Sequence, residues 1–145
     1  MSAGQTSYQV RFDWGRAGAD AVGQDADAIV WVSQVTGVDG PAGAVAGVLE
    51  RAEELGRWAL ERQKQLGGRF RIAVVAAGAE RPDGSLRFAV EDLLAAGAII
   101  EAIAEVGIDH QSPEAAAAAS AYRGLRSATG HLISASVSSR ELRSE

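Results

Sequence analysis

The sequence contains no cysteine in its 145 residues. Disulfide bonds, thiolate metal sites and cysteine nucleophiles are therefore excluded together. Histidine is also scarce: His110 and His131 are the two in the chain, and neither has a second ligand residue at metal-binding spacing. Solvated side chains are the simpler interpretation of both, with a pH-sensitive or catalytic histidine as the alternative.

Long apolar runs and basic patches are missing as well. No stretch approaches the roughly 18 apolar residues of a membrane span, and residues 1–7 lack the apolar core of a signal peptide. The net charge is -5, and the basic residues lie scattered among acids. Because nucleic-acid binding depends on neutralising phosphates, this charge pattern argues against it. We expect a soluble, cytoplasmic protein that binds neither nucleic acid nor membranes.

The composition is that of an ordinary globular protein, with 47% hydrophobic and 23% charged residues. A chain of this length buries roughly two thirds of its unfolded surface when it folds as one unit. No internal repeat is visible. We therefore expect a single domain that spans residues 1–145.

Three segments have the patterns of β-strands. Tyr8-Gln-Val-Arg-Phe12 alternates between polar and apolar residues, with Asp13-Trp14-Gly15 as the turn that ends it. The apolar runs Asp27–Val32 and Arg69–Ala77 are typical of strands buried on both faces. The segment Gly15–Gly23 between the first two strands has room for one or two helical turns.

Three segments have the patterns of helices. Residues 44–66 follow a flexible, glycine-rich loop at 37–43, and a second helix is predicted from near Phe88 to about Val106. Ser112-Pro113-Glu114 begins the third helix with a capping serine and a proline at the first helical position. That helix is expected to end at Gly130.

The order of these elements is β, β, α, β, α, α, followed by a tail from about residue 131 that is open between strand and helix. Strands that alternate with helices predict an α/β fold, with a mostly parallel sheet and helices packed against it. In such sheets ligands bind at the carboxyl ends of the strands.

The acidic segment from Ala79 to Asp92 follows one of these strand ends. Carboxylates can hold Mg²⁺ through one or two oxygens, and arginines can hold phosphate oxygens in bidentate fashion. The alternative is structural, because acids in a first helical turn complement the helix dipole and Pro-Asp-Gly is a common surface turn. The charged residues of the segment are Glu80, Arg81, Asp83, Arg87, Glu91 and Asp92.

Other candidate sites are weaker. Ser33 lies at the predicted carboxyl end of the second strand, where either a catalytic group or an ordinary polar residue could stand. The glycines at positions 37, 40 and 43 follow a strand, but their spacing matches neither a phosphate-binding loop nor the dinucleotide fingerprint.

Three stretches resemble the 2-phosphosulfolactate phosphatase family. The run Ala76-Ala-Gly-Ala-Glu-Arg-Pro-Asp-Gly-Ser-Leu-Arg-Phe-Ala-Val-Glu-Asp-Leu-Leu-Ala-Ala-Gly-Ala-Ile-Ile100 resembles the family's central signature. Tyr8–Gly15 is similar to the N-terminal strand of bacterial members, and residues 112–142 are similar to their C-terminal helix and Ser-Gly-Arg-Glu-Leu segment. The chain resembles a shortened, divergent member with a compact version of that fold.

The resemblance implies Mg²⁺-dependent hydrolysis of 2-phosphosulfolactate or a similar small phosphorylated hydroxy acid. By this comparison Glu91 and Asp92 are the catalytic residues, and they bind the metal together with Glu80. The substrate-binding residues that the comparison implies are Gly78, Arg81, Ser85 and Arg87.

The chain also departs from the family pattern. It lacks the section with an Asn-Gly-Ser or Asn-Gly-Thr motif, and Ser33 stands where an aspartate usually ends the second strand. These departures favour an alternative, a non-catalytic relative that binds a small anion or serves in homo-oligomeric assembly. Because a missing section would leave apolar sheet surface uncovered, we expect a homodimer under either hypothesis.

Overall fold

Four parallel strands form the central sheet of the computed structural model, which describes residues 4–144. The strands are β1 (Val10–Trp14), β2 (Ala28–Val32), β3 (Val45–Gly47) and β4 (Ile72–Ala76), in the spatial order β1-β4-β2-β3. The predicted strand at 69–77 is thus central, and all five residues of β4 are buried. Ala76 pairs with Trp14 on one side and Val32 on the other, so three strands end at the same level.

Helices cover both faces of this sheet, as the predicted α/β fold requires. One face carries the larger hydrophobic core, formed with α2, α3 and α4, and α1 packs on the other. The chain forms one compact domain. The helices are α1 (Gly15–Val22), α2 (Ala52–Leu66), α3 (Val90–Glu105), α4 (Pro113–Leu125), α5 (Thr129–Ser134) and α6 (Val137–Arg143).

Two glycines let α3 pack closely against its neighbours. A Cβ atom at Gly97 would lie 2.2 Å from the carbonyl oxygen of Ala118 in α4. A Cβ atom at Gly56 in α2 would lie 2.8 Å from the carbonyl oxygen of Ala102. Because real Cβ atoms essentially never lie within 3.0 Å of a backbone atom, a side chain at either position would force the helices apart. The α3 helix is accordingly buried on most sides.

The start of α4 confirms the prediction from its sequence. Ser112 precedes the helix in an extended conformation, and its Oγ accepts a hydrogen bond of 3.0 Å from the amide of Ala115. Pro113 occupies the first helical position, where its missing N–H group costs nothing.

The predicted helix at 44–66 is wrong over its first turns. Val45–Gly47 forms the edge strand β3, with Val45 paired to Val30, and a 3₁₀ turn at Leu49–Arg51 precedes α2. β-branched valines favour a strand, and pairing with β2 outweighs the helical spacing of the apolar residues.

The ends of two further elements also differ from their predictions. Asp13 and Trp14 belong to β1, and Gly15, with a φ of 68°, begins α1 directly instead of closing a turn. Gly130 does not end the third predicted helix, because α4 ends at Leu125 and α5 passes through Gly130. The tail left open between strand and helix is helical in α5 and α6.

The glycine-rich loop at 37–43 covers part of the α1 face of the sheet. The indole Nε1 of Trp31 donates a hydrogen bond of 2.7 Å to the carbonyl of Val38, and Gly40 lies against the indole ring. Ala73 and Val75 of β4 are fully buried on this face. The apolar sheet surface that a missing section was expected to leave uncovered is therefore covered on this face. The homodimer itself stays a prediction.

None of the helices within residues 4–144 combines the length and apolarity needed to span a lipid bilayer.

Candidate functional site

Asp92 joins the carboxyl ends of the two middle strands. It lies in the first turn of α3, and its side chain is 1% exposed. Its Oδ1 accepts a hydrogen bond of 2.8 Å from the amide of Gln34, which follows β2. Its Oδ2 accepts a hydrogen bond of 2.9 Å from the amide of Gly78, which follows β4. The carboxyl group therefore fixes both strand-end loops to α3.

The surroundings of Asp92 raise the pKa of its carboxyl group to about 7. Burial is the main cause, and the neighbouring acid Glu91 adds to it. The amides of Gln34 and Gly78 and the charge of Arg87 act in the opposite direction, because they favour the ionised form. A carboxyl group that titrates near neutrality is a common feature of functional sites.

Glu91 is buried without a partner. Its side chain is 1% exposed, and neither carboxyl oxygen has a hydrogen-bond partner among residues 4–144. Buried polar groups in folded proteins are nearly always hydrogen-bonded, because an unsatisfied group loses its hydration without compensation. Glu91 is therefore the polar side chain of this region whose role the fold alone does not explain.

Arg87 lies within the electrostatic reach of Asp92. Its positive charge lowers the pKa of Asp92, and its side chain is 18% exposed. The guanidinium Nη2 donates hydrogen bonds to Ser138 Oγ at 3.1 Å and to Glu141 Oε1 at 3.2 Å, both in α6. Among the residues predicted for the site, Asp92 directly contacts Gly78 and lies within the electrostatic reach of Arg87 and Glu91.

The remaining predicted site residues lie on an exposed hairpin, β5 (Ala79–Glu80) and β6 (Leu86–Arg87). Arg81 Nη1 donates a hydrogen bond of 2.6 Å to the carbonyl of Leu86, which closes the hairpin. Ser85 Oγ donates a hydrogen bond of 2.6 Å to Asp83 Oδ1. Glu80 is exposed at the end of β5. The predicted tight turn is present, with Gly84 at a φ of 85°.

The acids near the sheet edge offer a divalent cation few ligands. Residues 4–144 contain no group of three or more histidine, aspartate or glutamate side chains placed to hold a metal. Mg²⁺ nevertheless needs only one or two carboxylates when water and phosphate oxygens complete its octahedron. The unpartnered carboxyl of Glu91 fits that role, whereas both oxygens of Asp92 already accept backbone hydrogen bonds.

Gln34 belongs to this site, although it is not among the site residues predicted from the sequence. Besides its amide bond to Asp92, its side-chain Oε1 accepts a hydrogen bond of 2.7 Å from the amide of Leu49. Its Nε2 donates to Glu50 Oε1 at 3.1 Å. Gln34 therefore ties the end of β2 to the start of the 3₁₀ turn before α2. The sequence signal that could have identified Gln34 is its position just after the end of the predicted strand at 27–32.

The other candidates from the sequence have structural surroundings. Ser33 Oγ accepts a hydrogen bond of 3.0 Å from the amide of Val38, so it shapes the glycine-rich loop. His110 is exposed, contacts Arg69, and accepts a hydrogen bond of 3.3 Å at Nδ1 from the amide of Gln9. His131 is exposed on α5.

A cleft of about 530 Å³ lies away from the acid pair, beside α2, α3, α4 and α5. Neither Glu91 nor Asp92 lines it. Glu101 on the wall of the cleft pairs with Arg123 at 2.9 Å and with Arg126 at 3.8 Å. The charge of this acid is therefore already neutralised within the protein. The acid pair and the cleft are therefore separate features of the molecule.

A scan of protein-family models and a search of curated proteins found no match to this chain.

Proposed function

We propose that the chain is a phosphatase that acts on a small phosphorylated hydroxy acid, 2-phosphosulfolactate or a similar ester, at the carboxyl edge of its sheet. The observation that carries the proposal is the buried, unpartnered carboxyl group of Glu91. A buried acid without a partner destabilises the fold, and a cation that binds the carboxyl group during function would supply the missing partner. A divalent cation is the partner that this chemistry favours.

Each residue of the site then has a distinct role. Glu91 holds Mg²⁺ with its free carboxyl group, and Arg87 orients the anionic ester with its guanidinium. Asp92 holds the loops after β2 and β4 in place through the amides of Gln34 and Gly78. When bound, Mg²⁺ supplies the positive charge that stabilises the phosphoryl oxygens during hydrolysis.

A second candidate function is binding or assembly without turnover, and a different observation favours it. Every group predicted to bind substrate already has a partner within the protein. Gly78 donates to Asp92, Arg81 to the Leu86 carbonyl, and Ser85 to Asp83. Arg87 donates to Ser138 and Glu141. A non-catalytic relative would keep these contacts in all its states.

Phosphate release distinguishes the two candidates. The substrates are 2-phosphosulfolactate and a panel of phosphorylated hydroxy acids, each assayed with and without Mg²⁺. We expect Mg²⁺-dependent release from the unmodified chain and a loss of about 100-fold or more in Glu91→Gln, because loss of a charged group that stabilises the transition state costs at least that factor.

Glu61→Gln serves as the matched control, since it removes the same charge from an exposed position on α2. It should retain full activity. Glu91→Gln should melt no lower than the unmodified chain, because a neutral amide replaces a buried acid. If the unmodified chain releases no more phosphate than Glu91→Gln under any condition, the phosphatase proposal is wrong and the second candidate replaces it.

A further inference from the structure

The two α6 contacts of Arg87 differ in their surroundings. Ser138 is 3% exposed, and its hydroxyl lies 3.1 Å from Nη2 of Arg87. Glu141 reaches the same nitrogen at 3.2 Å, but its side chain is 66% exposed. The hydroxyl is therefore a fixed part of the site, whereas the carboxylate reaches it from solvent.

The Glu141 carboxylate occupies a position on the Arg87 guanidinium that an anionic ligand could take. A carboxylate oxygen on a guanidinium nitrogen occupies the position that a phosphate oxygen takes when arginine binds a phosphate. Because the Glu141 side chain is mostly exposed, water can solvate its carboxylate when that side chain rotates away from Arg87. The α6 helix itself does not have to move, because the buried Ser138 stays in place.

We propose that Glu141 is an internal competitor for the anionic ligand of Arg87, and that Ser138 completes the anion site when Glu141 swings away. The inference rests on the proposed function, in which Arg87 binds the ester. The ligand class is a phosphate monoester, which forms two parallel hydrogen bonds with a guanidinium. The serine hydroxyl can donate to one of its oxygens, since a hydroxyl both donates and accepts.

Binding of inorganic phosphate tests the competition without turnover. Calorimetric titrations of the full chain, in the presence of Mg²⁺ and at low ionic strength, give the dissociation constant for each variant. Glu141→Gln should bind phosphate about threefold to fivefold more tightly than the unmodified chain, which is the size of one exposed ion pair. Ser138→Ala should bind more weakly, and Arg87→Gln should lose binding.

Glu61→Gln is the control for the change in net charge, and it should bind phosphate as the unmodified chain does. If Glu141→Gln binds no more tightly than Glu61→Gln while Arg87→Gln abolishes binding, Glu141 is not a competitor and the anion site at Arg87 stands. If no variant binds phosphate, including Glu141→Gln, the competition and the role of Arg87 in the proposed function both fall.

Discussion

At the scale of single residues, two adjacent acids of α3 have opposite surroundings. Asp92 accepts hydrogen bonds from the amides of Gln34 and Gly78, whereas Glu91 has no partner among residues 4–144. Sequence spacing selected both acids but could not separate their roles, because acids in a first helical turn look alike without their neighbours. The distinction depends on loops that follow β2 and β4, which are remote from the pair in sequence.

The raised pKa of Asp92 predicts how stability changes with pH. The ordinary value is 3.8, and the folded value is about 7. Between these two pH values the unfolded chain releases this proton while the folded chain keeps it, so the free energy of unfolding falls as pH rises. The loss is about 4 kcal/mol at most, and it is complete above about pH 7.

Urea unfolding of the unmodified chain and of Asp92→Asn, measured from about pH 4 to about pH 8 without divalent metal, isolates this contribution. The stability advantage of the unmodified chain over Asp92→Asn should shrink across that range, because asparagine does not titrate. An advantage that grows with pH would show that the Gln34 and Gly78 amides outweigh burial and keep the carboxyl group ionised.

At the scale of elements, the sequence predicted the central strands and most helices because their signals are local. Apolar runs marked β2 and β4, and Ser112-Pro113 marked the start of α4. The edge strand β3 was missed because its apolar residues also fit the spacing of a helix. Only their pairing with β2, which the sequence does not show, makes the segment a strand. Gly130 was misread as a helix end because a glycine without close neighbours can lie within a helix.

The crossing of α3 and α4 predicts a specific effect of adding one methyl group. Gly97→Ala places a Cβ atom 2.2 Å from the backbone oxygen of Ala118, so the two helices must move apart. We expect the free energy of unfolding to fall by about 1–3 kcal/mol, which exceeds the gain in helix propensity. Thermal and urea unfolding measure this change.

Gly124→Ala is the matched control, because within residues 4–144 no atom beyond its neighbours and its own helix backbone lies within 4 Å of a Cβ atom built there. It should leave stability unchanged or raise it by up to about 1 kcal/mol, as alanine favours the helix. Equal effects of the two substitutions would mean that α3 and α4 do not cross at Gly97.

At the scale of the whole molecule, contacts within the chain cover parts of both edge strands of the sheet, as helices cover its two faces. The outer edge of β1 pairs at Val10 with the segment around Gln111, and next to it the Gln5 side chain bonds both backbone groups of Phe12. On the opposite edge, Arg51 donates a hydrogen bond to the carbonyl of Ala46 in β3. Unpaired edge strands promote association, so these contacts oppose growth of the sheet from one molecule to the next.

Removal of the Gln5 amide is therefore expected to promote self-association. In Gln5→Ala the N–H and C=O groups of Phe12 lose partners at 2.9 Å and 2.8 Å and become free to pair with another chain. Sedimentation velocity over a concentration series should show the unmodified chain as the expected homodimer and Gln5→Ala as larger species.

Gln24→Ala is the control, because it removes an exposed side-chain amide that makes no hydrogen bond within residues 4–144. It should sediment as the unmodified chain does. If the two variants sediment alike at every concentration, the Gln5 amide does not protect the edge of β1. An unmodified chain that stays monomeric at every concentration would contradict the expected homodimer.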